Sequence, residues 1–113
     1  MCYKATCYAT TRSIVQSMNI PEGHYSVGFQ SRLGKGWIEP FSDHVIEDLA
    51  KKGAKKILVF SPAFVADCLE TTIEIGDEYQ ELFEEHGGEK VQLVPSLNDS
   101  KEWIDCLEAL VRE

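Results

Sequence analysis

The chain has 113 residues, a formal charge of −8 and a hydrophobic share of 43%. That length holds one domain, and that share supports a packed core rather than disorder. The acidic balance argues against a nucleic-acid partner, which needs a basic footprint, and against a polybasic grip on anionic lipid.

No apolar run approaches the roughly 20 residues of a membrane-spanning helix. No basic segment followed by an apolar one opens the chain, so a cytoplasmic protein without a secretory signal is expected. Cys2, Cys7, Cys68 and Cys106 match no zinc spacing and are expected to be reduced thiols.

The first predicted helix covers about Tyr3 to Met18. Cys7, Thr11, Ile14, Val15 and Met18 fall on one helical stripe, and Asn19 and Pro21 end it. Tyr25, Val27 and Phe29 then alternate with small or polar residues, which reads as a strand over Tyr25 to Ser31. The loop that follows, from Gln30 to Pro40, carries glycines, a proline and cations and is longer than a minimal turn. Trp37 there is either a lid on the core or the wall of a cleft. Arg32 is either a surface ion pair or a binding residue.

Ser42 or Asp43 caps a second helix, whose apolar set is Val45, Ile46, Leu49 and Ala50 and which Gly53 ends. Ile57 to Phe60 is a continuous apolar run, as in a parallel strand covered on both faces; Pro62, with no amide proton, closes it. A helix is predicted from about Asp67 to His86, stopped by Gly87-Gly88. Its apolar stripe is Ile75, Tyr79, Leu82 and Phe83. Beside it Glu70, Glu74 and Glu78 recur at spacings of four. Like charges at that spacing repel mildly, so the row is either a solvated face or a carboxylate ladder that handles metal ions or protons. Gly76 costs about 1 kcal/mol relative to alanine inside a helix. Such a glycine marks a π-bulge or close packing.

A third strand is Lys90 to Val94, closed by Pro95. Asp99 and Glu102 have the spacing of a capping box for a last helix, which carries Trp103, Ile104, Leu107, Leu110 and Val111. Strands alternating with helices predict an α/β fold: three layers, with a mainly parallel sheet of about three strands and flanking helices. In such sheets ligands bind beyond the carboxyl ends of the strands. So few strands suggest a piece of something larger.

Four separated stretches carry a family resemblance. Cys2 to Thr11 resembles the ferrochelatase family's helix after its catalytic-histidine loop, although Ala5 stands where the family usually has glutamine. Gln30-Ser31-Arg32, a glycine, then Trp37 with Pro40 is similar to the family's porphyrin-cleft loop. Phe64-Val65-Ala66-Asp67-Cys68-Leu69-Glu70-Thr71 resembles the motif that opens its acidic active-site helix. Pro95-Ser96-Leu97-Asn98 is similar to a further signature.

The resemblance implies a partial class II chelatase-like domain. Residues 1–113 would be the C-terminal part of a ferrochelatase-like chelatase, with the N-terminal lobe and the catalytic-histidine segment absent. His24, His44 and His86 lie in no His-Gly-x-Pro segment. The resemblance makes Glu70 the catalytic residue, Glu70, Glu74 and Glu78 the metal path, and Ser31, Trp37 and Phe64 the porphyrin contacts. It also gives the acidic helix π character. The implied partners are protoporphyrin IX and a divalent metal, with ferrous iron as substrate and no tightly bound cofactor. Some members carry an iron–sulfur cluster on cysteines of an extension that this sequence lacks, so none is expected. The fragment alone is expected to be inactive and to self-associate as a dimer. A half-size homodimeric tetrapyrrole chelatase and a non-enzymatic flavodoxin-like binding module are the alternative readings.

Overall fold

The structure, a computed structural model, describes residues 2–30 and 38–112. In chain order the elements are helix α1 (Tyr3–Ser17), helix α2 (Ser42–Lys51), strand β1 (Lys56–Val59), a π-helix (Glu70–Glu78), helix α3 (Tyr79–Glu85), strand β2 (Lys90–Leu93) and helix α4 (Lys101–Val111). The α/β class and the parallel pairing follow the sequence reading. The described sheet has two strands, with Ile57 opposite Val91 and Val59 opposite Leu93.

The strand expected over Tyr25 to Ser31 does not form among the described residues. Tyr25, Val27 and Phe29 do alternate partly buried against exposed neighbours. Alternation fixes a face, however, and not a partner. Phe29 makes a single parallel bridge to Phe41. The Phe29 amide donates to the Pro40 carbonyl, and the Ser42 amide donates to the Phe29 carbonyl, each at 2.9 Å. The segment thus spends its backbone groups on the entry to α2 instead of on β1. Gly28 allows that approach, since a Cβ there would lie 2.9 Å from Ser42 Cα.

One apolar core holds the molecule together. Ile46 and Ala50 of α2, Ile75 of the π-helix, Tyr79 and Phe83 of α3 and Val91 of β2 are buried in one cluster. Ile57, Val59 and Leu93 pack against it from the same sheet face. The opposite face of β1 carries Leu58 at 74% exposure, so the double cover predicted from the apolar run is not seen over this strand. Gln80 of α3 binds backbone at the start of β2: its Oε1 accepts from the Val91 amide at 2.7 Å, and its Nε2 donates to the carbonyl of Glu89, just before the strand, at 3.0 Å.

Helix ends differ in detail from expectation. Phe41 occupies the N-cap of α2, and no side-chain cap is made there. Ser100 stands at the N-cap of α4, again without a side-chain cap, so the Asp99–Glu102 box is not formed. In α1, Thr6, Thr10 and Thr11 instead donate their hydroxyls to carbonyls four residues back, each at 3.1 Å. That helix buries only Val15 and α4 buries no residue, so both lie at the margin of the core.

Candidate active site

The loop between β1 and the π-helix leaves the carboxyl end of β1, and the loop after β2 leaves the same end of its parallel neighbour. The two are stitched together there. Asp67 Oδ2 accepts from Asn98 Nδ2 at 2.9 Å, and the Asp67 amide donates to Asn98 Oδ1 at 2.8 Å. Asp67 Oδ1 accepts from the Thr71 hydroxyl at 3.1 Å and from the Ser96 amide at 3.2 Å. The Asn98 amide donates to the Val65 carbonyl at 2.7 Å. Thr71 is fully buried and Ser96 nearly so. These donors, Asn98 first and then the Ser96 amide, hold the Asp67 carboxyl below its ordinary range.

This stitched loop delivers the π-helix, where Glu70 is exposed at the first position. Its Oε2 accepts from the Cys68 thiol at 3.0 Å, and that bond is the main cause holding the carboxyl below the ordinary glutamate range. Its backbone carbonyl accepts from Gln30 Nε2 at 2.9 Å. Gln30 is the last described residue before the segment with Ser31, Arg32 and Trp37, which lie outside the described residues.

Further along, Glu74 is partly buried and its Oε1 accepts from the Tyr79 hydroxyl at 2.9 Å. Burial first, then the Glu74 carboxylate, push the Tyr79 phenol far above its ordinary value, so it remains a donor. Glu78 is exposed at the last position of the π-helix. Phe64 is partly buried in the loop that leads to Asp67. Glu70 and Glu78 are therefore open to solvent at the two ends of the π-helix, with Glu74 partly buried between them. Among the described residues no three His, Cys, Asp or Glu side chains gather into a group that could hold a metal ion. The carboxylates make a row of separate stations and not a cage.

The histidines are placed elsewhere. His86 follows α3, with Nδ1 2.9 Å from the Leu82 carbonyl and Nε2 3.0 Å from the Glu47 carboxylate. His44 meets the Phe41 ring edge-on in α2. An open hollow of about 450 Å³ lies between α1 and residues 22–27, lined by Tyr8, Arg12, Glu22 and Tyr25 among others; no residue of the carboxylate row reaches it.

The ferrochelatase family model matches residues 1–113. The chain belongs to the ferrochelatase family. It is 52% identical over 110 residues to a ferrochelatase of Pseudomonas fluorescens (strain SBW25), covering 96% of this chain and 32% of the relative. It is 53% identical over 108 residues to one of Pseudomonas putida (strain W619), covering 95% and 32%. It is 50% identical over 112 residues to one of Bdellovibrio bacteriovorus, covering 98% and 33%. The chain thus spans about a third of the length of the ferrochelatases it matches.

The sequence reading named the carboxylate row but missed the bonds that tie the loop before it. Asp67, Thr71 and Asn98 all lie in quoted motifs, yet Asp67 and Asn98 are 31 residues apart and no local spacing links them. The usable signal was chemical: an aspartate and an asparagine, each just beyond a strand's carboxyl end, can pair acceptor with donor twice.

Proposed function

We propose that this chain supplies part of the metal-inserting site of a ferrochelatase, which places ferrous iron in protoporphyrin IX to form haem. The observation that carries the reading is Glu70: an exposed carboxylate at the carboxyl end of a parallel sheet, tied to Gln30 through its carbonyl and to Cys68 through its side chain. Metal insertion exchanges two pyrrole protons for one divalent cation. It therefore needs a base for the protons, oxygen ligands that replace water on the metal, and apolar walls for the macrocycle. A carboxylate held below its ordinary pKa is anionic at neutral pH, as a hard oxygen ligand for a divalent cation must be. Glu74 and Glu78, at the next stations along the π-helix, pass metal ions or protons to and from solvent. Ser31, Trp37 and Phe64 contact the porphyrin.

The reading takes this chain as the C-terminal part of a longer cytoplasmic enzyme whose other part holds the histidine. The isolated 113-residue chain is then inactive. It also associates as a dimer, because Ile104, Leu107, Leu110 and Val111 of α4 stay 41–83% exposed.

The test is anaerobic metal insertion by the full-length enzyme that contains this segment, followed by loss of free-base porphyrin fluorescence with ferrous iron. Turnover by the full-length enzyme and none by residues 1–113 alone is expected. No turnover by the full-length enzyme would overturn the reading, and full activity of the isolated chain would favour a half-size dimeric chelatase.

A further inference from the structure

Glu70 sits between two anchored residues. Three positions before it, Asp67 is held by Asn98 at both its amide and its carboxylate. The position after it, Thr71, is fully buried; its hydroxyl accepts from the Cys68 amide at 3.0 Å and shares its proton between Asp67 Oδ1 and the Cys68 carbonyl, each at 3.1 Å. A π-helix has a wider turn than an α-helix and is uncommon at this length, so its first turn needs fixing from outside. Four of the fixing contacts run through one side chain and its own amide: Asn98 to the Asp67 amide, to Asp67 Oδ2, to the Ser96 carbonyl at 3.1 Å and, by its backbone, to the Val65 carbonyl.

The residue suits the place. Asn98 adopts φ +49°, a left-handed conformation that asparagine tolerates better than most side chains. Its amide offers a donor and an acceptor in one plane, which match the carboxylate and amide of Asp67. Aspartate at 98 would keep the acceptor but set two carboxylates against each other. Leucine or alanine would leave the Asp67 pair without either partner.

We propose that Asn98 is a positioning residue for the metal-inserting reaction: through Asp67 it fixes the direction in which the π-helix presents the Glu70 carboxylate. The inference rests on the reading of Glu70 as base or ligand. Asn98 itself need touch neither porphyrin nor metal. Its effect is geometric, so its loss changes turnover and leaves porphyrin affinity nearly as it was. A displacement of about 1 Å at a reacting group costs on the order of a hundredfold in rate.

The experiment uses the full-length enzyme with Asn98→Gly, which keeps the left-handed backbone and removes the side chain. Asn98→Asp and the exchanged pair Asp67→Asn with Asn98→Asp complete the set. In the exchanged pair, Asn at 67 still accepts from Thr71 and Ser96 and now donates to Asp at 98, while the Ser96 carbonyl loses its donor and faces a carboxylate oxygen, so recovery is partial. For Asn98→Gly we expect kcat to fall roughly ten- to a hundredfold, with the porphyrin KM within about twofold of the parent. We expect Asn98→Asp to fall as far and the exchanged pair to regain at least about fivefold over it. Unchanged kcat in Asn98→Gly overturns the proposal. So does an exchanged pair no better than Asn98→Asp, because Asp67 would then be needed for its own charge. Should Asn98→Gly not fold, the comparison between Asn98→Asp and the exchanged pair decides by itself. Absence of turnover in the parent enzyme would instead strike the reading of Glu70, and is told apart on that ground.

Discussion

The hydroxyl of Tyr79 donates to the Glu74 carboxylate across 2.9 Å, from a ring that is 6% exposed in the core. The middle station of the carboxylate row is thereby bound to the packing of the whole domain. A buried phenol beside an anion stays protonated, so Tyr79 remains a donor to Glu74.

Tyr79→Phe removes the hydroxyl and keeps the ring. Glu74 is only partly buried, so water can replace the lost donor. The expected loss is about 1 kcal/mol, the ordinary net value of one hydrogen bond. Urea unfolding of the isolated chain, with the slope unchanged, measures it. A loss several times larger would mean that Glu74 is sealed from solvent once its partner is gone.

The core sets a second limit at Gly88. A Cβ there would lie 2.3 Å from Phe83 Cδ2, and Phe83 is fully buried. Its ring is buried in one cluster with Ile75 and Tyr79, which leaves it little room to yield. Gly88→Ala is therefore expected to destabilise by about 1–3 kcal/mol, as overpacked cores do. Gly23→Ala is the useful contrast, because nothing lies within 4 Å of the added atom there and only its φ of +85° opposes it. Denaturant midpoints of the two variants rank the packing clash against backbone strain.

Acid should loosen the stitched loop before it melts the core. The Asp67 carboxyl is held below its ordinary value in the folded chain, chiefly by Asn98 and the Ser96 amide. A depressed folded pKa contributes stability that is fully present above the unfolded value of about 3.9 and is lost as pH falls through the lower folded value. Thermal midpoints taken from pH 6 down to pH 2 should fall in that lower range, and more steeply for the parent than for Asp67→Asn, which has no proton to gain. Parallel curves for the two proteins would remove Asp67 from the acid response. The Glu70 carboxyl, lowered by the Cys68 thiol, titrates in the same direction, so Glu70→Gln belongs in the series as a second control.

The core was the most legible part of the fold. Ile75, Tyr79 and Phe83 were marked by helical spacing and are buried together, because a stripe of that kind states which face must leave water. The strand expected over Tyr25 to Ser31 was misread for the opposite reason: the alternation at Tyr25, Val27 and Phe29 is real, but pairing depends on which backbone comes near, and here that is the entry to α2. Glycine at 76 signalled an irregular helix, and the π-helix runs over Glu70–Glu78 around it. In the candidate site, Glu70, Glu74 and Glu78 were visible because their spacing is local. The grip of Asn98 on Asp67 and of Gln30 on Glu70 was not, since those bonds join residues 31 and 40 positions apart. The first pair is made by the parallel sheet, which sets the ends of β1 and β2 side by side; the second is made by the segment that pairs with the entry to α2.

Glu70→Gln in the full-length enzyme tests the carboxylate itself. Glu70→Gln preserves size and leaves the backbone carbonyl that Gln30 binds, so the local fold should hold. It removes the negative charge and the site for a pyrrole proton. If the carboxylate acts on the reacting atoms, the change acts mainly in the transition state, and kcat and kcat/KM fall together. A general base is worth about 10²–10⁴ in rate, so a loss of at least about a hundredfold in kcat is expected, with porphyrin KM altered little. Steady-state rates over a grid of porphyrin and ferrous-iron concentrations separate the cases. A rise confined to the metal KM would make Glu70 a delivery ligand only. A rise confined to the porphyrin KM would place it in uniform binding of the macrocycle, and the carboxylate row would then need another residue as its base.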